Sequence, residues 1–172
     1  PEPLSYIAPA RGTYKLSVSS PDKNAQGGRY VLTLDEMRAA TQKDKGRVAA
    51  QQALLEAVRL GAEQNAESLK KATARYQEAL TPIRAAGDAK LEATALNNLG
   101  QIYYTIGDRK KALDLFEQAV SLMRAQGDKG GEAEALSNLA ATYEELGDPA
   151  KALEVYNKSL PLRRAAGDKV GE

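Results

Sequence analysis

The chain contains no histidine and no cysteine. Imidazole bases, thiolate nucleophiles, disulfides and the common zinc sites are therefore out of reach, and carboxylates, hydroxyls and amides carry whatever chemistry remains. Paired carboxylates can do acid–base work. Here Asp114, Glu117, Glu144, Glu145 and Glu154 fall at ordinary amphipathic positions and read as a solvated charged face. The glycine-rich run 127–131 has neither the spacing nor the preceding strand of a phosphate loop and reads as a turn. No catalytic group, metal or cofactor is expected. Two asparagines, Asn98 and Asn138, stand 40 residues apart. An amide offers a donor and an acceptor together and so matches a peptide unit of any sequence. That is binding chemistry.

The elements that position these residues repeat. Gly-Asp occurs at Gly87-Asp88, Gly127-Asp128 and Gly167-Asp168, a spacing of 40, with further pairs at Gly107-Asp108 and Gly147-Asp148. Residues 87–126 and 127–166 share 17 of 40 positions without a gap, too many for chance likeness between two unrelated helix pairs. Each unit reads as two helices. Leu91, Ala95, Leu96, Leu99, Ile102 and Tyr103 recur at helical steps over 89–105, and the copy spans 129–146. The second helix runs from 109 to 125 with Ala112, Phe116, Ala119 and Val120, and its copy carries Ala152, Tyr156 and Leu160. Glycine can take the left-handed position that ends one helix, and aspartate can cap the next. Residues 66–88 keep the second-helix pattern, whereas 43–64 carry Arg59-Leu60 where Leu99-Gly100 stand, as in a degenerate capping helix. Pro82 and Pro161 fall deep in second helices, where each should bend the helix or end it.

Composition is that of a globular protein: 42% hydrophobic and 27% charged residues. With 24 basic and 23 acidic residues no field of one sign exists, so nucleic acid is not an expected partner. No apolar run is long enough to span a membrane.

These residues resemble the tetratricopeptide repeat (TPR): Leu96, Leu99-Gly100, Tyr103, Gly107, Ala112, Phe116 and Ala119 in one unit, Leu136, Leu139-Ala140, Tyr143, Gly147, Ala152, Tyr156 and Ser159 in the next. A 40-residue unit is similar to the longer repeats of kinesin light chains and cell-polarity adaptors. The expected fold is mainly α, a right-handed solenoid of antiparallel helix pairs over 41–172, preceded by a short β-hairpin. Its parts would be a capping repeat at 43–86, repeats at 87–126 and 127–166, and the start of another at 167–172.

Residues 1–40 differ in character. Tyr14, Leu16 and Val18, then Tyr30, Leu32 and Leu34, alternate with polar residues as strands do, around turn chemistry at 20–27. The pair is similar to the last strands of bacterial pre-peptidase C-terminal-type sandwich domains, implying a bacterial and exported parent. The chain begins at Pro1 and reads as a fragment. A regulatory part of a larger bacterial enzyme, such as a CHAT-type caspase-like protease, is the alternative to a scaffold, and a carbohydrate- or wall-binding hairpin is a third reading.

The TPR resemblance implies that first helices line a concave groove. It assigns Asn97, Asn98, Gln101 and Tyr104, with Glu134, Ser137, Asn138, Ala141, Glu144 and Glu145, to a peptide-binding surface. The residues that clamp a C-terminal carboxylate in chaperone-binding members are absent, and three glutamates favour a neutral or basic guest. Leu153, Tyr156 and Leu160 on the last helix are expected uncovered, inviting self-association.

Overall fold

The structure, a computed structural model, describes residues 41–167. The hairpin, its bacterial-type resemblance and residues 168–172 lie outside that range. Six helices follow one another: α1 (Gln42–Ala62), α2 (Ala66–Ala86), α3 (Ala89–Ile106), α4 (Arg109–Ala125), α5 (Lys129–Glu145) and α6 (Pro149–Ala166).

One dipeptide builds four of the five turns. At Gly107-Asp108 the glycine has φ 93°, which a side chain would resist, and the Asp108 N–H returns to the Tyr103 carbonyl at 2.9 Å. The Asp108 carboxylate then accepts from the Lys111 N–H at 3.2 Å and starts α4. Asp88, Asp128 and Asp148 cap α3, α5 and α6 in the same way. The turn between α1 and α2 is built differently. Gln64 takes the positive φ, 51°, and Asn65 caps α2 by accepting from the Ser68 N–H at 2.9 Å.

That difference explains the apparent degeneracy of the first helix. Counted back 40 residues from Arg109, α2 would begin at 69; it begins at Ala66. The buried stripe of α1 is Ala50, Ala53, Ala57 and Leu60, so a shift of 43 aligns Ala50, Ala53 and Ala57 with the buried Ala93, Leu96 and Gly100. Leu60 is therefore not the counterpart of Gly100; fully buried Ala57 supplies the small residue at that level of α1. Both α2 and α6 continue past their prolines, so neither helix ends at Pro82 or Pro161.

Each helix packs on the next along the chain, α3 also touches α1 and α5, and no other pair of helices meets among the described residues. This is an open stack, not a closed bundle. First helices approach one another while α2, α4 and α6 do not, which makes the row α1–α3–α5 the inner side of the curve. Tyr76, Ile83, Leu96, Phe116, Met123 and Leu136 fill the spaces between layers. Burial at roughly 25 cal/mol per Å² of apolar surface drives the stacking. Arg84–Glu92 at 2.6 Å and Arg124–Glu132 at 2.7 Å link successive units at the same place in each.

Candidate peptide-binding face

The predicted site residues divide into two groups. Asn97 is only 3% exposed and faces α5. Its amide nitrogen donates to Glu134 at 3.1 Å, and its amide oxygen accepts from Asn138 at 3.1 Å. Glu134 and Asn138 are one helical turn apart, so together they grip both ends of a single buried amide. Asn97 is thus withdrawn from the inner surface, and Asn138 spends a donor on it. Ser137 is half-buried, donating to the Ala133 carbonyl and accepting from Arg163 Nη2 at 2.9 Å. It lies beside a second cleft with Tyr156, Ser159 and Leu160.

Asn98 has a different setting although it occupies the place of Asn138. The helix before it, α1, carries Leu54 where α3 carries Asn97, so no amide is there to hold it. It lines instead a cleft of about 290 Å³ between α1 and α3, with Val58, Leu69, Tyr76, Gln101 and Ile102. Burial pushes the Tyr76 phenol above its ordinary pKa, and a hydrogen bond with the Asn98 side chain acts in the opposite direction. Donor, acceptor and apolar wall meet in one open depression.

Further along, Tyr104 is half-buried beneath the Arg109 guanidinium, 4.2 Å from the ring centroid. Arg109 also donates to the Tyr104 carbonyl and to Glu145 at 3.2 Å. The charge of Glu145 is therefore matched, and the acidity of the inner face rests on Glu134 and Glu144. Glu144 is exposed and accepts from the Tyr156 hydroxyl at 3.2 Å. Desolvation and then that bond push the Tyr156 phenol up. Gln101 is exposed and Ala141 half-buried.

The sequence pattern puts Val58 on the apolar face of the first helix and not on the inner surface, and it does not single out Arg109. The register shift of α1 hid Val58; Arg109 lies on a second helix, outside the pattern of inner residues. No three metal-binding side chains cluster among the described residues. No helix of the described residues is long and apolar enough to cross a membrane.

A family model described as tetratricopeptide repeat matches residues 61–125 and 122–165. No curated protein matches the chain. Among solved structures, the crystal structure of the TPR domain of Arabidopsis FLU is similar in fold, with TM-score 0.64 and 22% identity over 72% of this chain and 99% of that one.

Proposed function

Because this chain belongs to the tetratricopeptide repeat family, whose repeats are in general protein-interaction scaffolds, we propose that it holds a polypeptide segment along the inner face of α1, α3 and α5. The observation that carries the reading is the cleft at Asn98, where an amide stands beside exposed Gln101 and an apolar floor of Leu69 and Ile102. A peptide backbone needs both donor and acceptor, and an amide supplies them without regard to sequence. Asn138 is engaged by Asn97 and serves the stack first. Asn98, Gln101, Tyr104 and Glu144 are the residues that would meet a guest.

Most of the described carboxylates serve helix caps or ion pairs, Glu134 accepts from Asn97, Glu117 and Glu144 accept from tyrosine hydroxyls, and no reaction is assigned to any of them. The test is a pull-down with the wild-type chain against Asn98→Ala/Gln101→Ala. Loss of a bound protein with unchanged helicity by circular dichroism supports the reading. Retention of every partner by the double variant rejects it.

A further inference from the structure

Resting on the reading just given, the inner face carries a further message, because its three helices offer three different chemistries. On α1, Leu55 is 72% exposed and Val58 52% exposed. Together with Ala62 they form one stripe at helical spacing that leads to the cleft floored by Leu69, Tyr76 and Ile102. A continuous apolar strip of this kind differs from the scattered single leucines of an ordinary surface. On α3 the corresponding residues are the neutral Asn98, Gln101 and Thr105. On α5 the matching row is Asn138, Ala141 and Glu145, the last offset by Arg109, and the exposed Glu144 stands next to it.

We infer that the guest is an extended segment with a large apolar side chain at one end, seated beside Val58, and a lysine or arginine at the other, beside Glu144. The spacing follows from geometry. Packed helices lie about 8–10 Å apart, so α1 and α5 are separated by roughly 16–20 Å. An extended chain advances about 3.3 Å per residue, which puts the basic residue five or six positions from the apolar one. Between them the peptide backbone passes Asn98 and Gln101. An acidic guest is repelled at α5, and a wholly polar one leaves Leu55 and Val58 wet.

The experiment uses the full chain and fluorescein-labelled Gly-Ser peptides, each with one Phe and one Arg separated by three, six or nine positions. Binding is followed by fluorescence anisotropy. The six-position peptide should bind about tenfold more tightly than the others, and more weakly in high salt. Val58→Asp and Glu144→Lys should each weaken it about tenfold, and Glu144→Lys should gain affinity for the matching Phe–Glu peptide by charge complementarity. Both substituted positions are exposed, so helicity should not change. Equal binding at all spacings, or indifference to Val58→Asp, overturns the inference while leaving the scaffold reading intact. If none of these peptides binds, and a random peptide library also yields no ligand displaced by Asn98→Ala/Gln101→Ala, both fall together.

Discussion

Gly100 shows how a single missing atom sets the distance between two helices. A Cβ there would lie 2.7 Å from the Phe116 ring, which is 1% exposed and has nowhere to swing. Alanine gains up to about 1 kcal/mol of helix propensity, but overpacking a fixed core costs about 1–3 kcal/mol. Gly100→Ala should therefore lower the thermal midpoint followed by circular dichroism. The third unit carries Ala140 at this place, fully buried, facing a layer whose aromatic is the half-buried Tyr156. Ala140→Gly should also destabilise, by about 1 kcal/mol, so opposite substitutions at matching positions move stability the same way. Asn97→Asp tests the buried amide. It removes the N–H given to Glu134 and sets two carboxylates face to face, at a cost of about 1–3 kcal/mol near neutral pH. Mutual repulsion raises the folded pKa, so the deficit against wild type should grow as pH climbs above about 4 and shrink in acid, as urea titrations at several pH values would show.

Among the elements, the turn between α1 and α2 departs from the others, because Gln64 has to adopt the left-handed conformation that glycine adopts elsewhere. Such a residue costs about 1–2 kcal/mol, and Gln64→Gly should recover part of it, raising the thermal midpoint without changing helix content. The same turn marks where the sequence stopped being readable. Helices α3 to α5 are legible to within a residue because Gly-Asp recurs every 40 positions and the apolar steps between are helical. With no Gly-Asp between α1 and α2, and three residues of shift, a 40-residue step sets Arg59-Leu60 against Leu99-Gly100 and hides the exposure of Leu55 and Val58. The candidate site was legible only in part for a related reason. A one-helix pattern identifies the face on which Asn97 and Asn138 lie, but not that they bond to each other across 41 residues of chain. Nor does it reveal that Arg109 reaches back from α4 to Tyr104 and across to Glu145.

For the molecule as a whole, ionisation defines a window of stability. Lys111 holds the Asp108 carboxyl low, chiefly through its ammonium, and Lys151 does the same for Asp148, chiefly through its backbone N–H. Groups with depressed folded pKa values stabilise fully above the unfolded value of about 3.9 and lose that contribution as pH falls further. Tyr76, Tyr143 and Tyr156 are all pushed up, first by desolvation. Their neutral phenols favour the fold until the unfolded chain begins to ionise, near pH 10. The thermal midpoint should stay level between about pH 5 and 9 and fall on both sides. The regular link from Arg84 to Glu92, repeated from Arg124 to Glu132, has a genetic corollary. Excising residues 87–126 would join Ala86 to Gly127 and leave Arg84 eight residues ahead of Glu132, the interval it already keeps from Glu92. Replication slippage by whole units can thus shorten or lengthen such a gene while keeping this link, with Leu54 set against Glu134 and Asn138 in place of Asn97, and a chain lacking that unit should still fold.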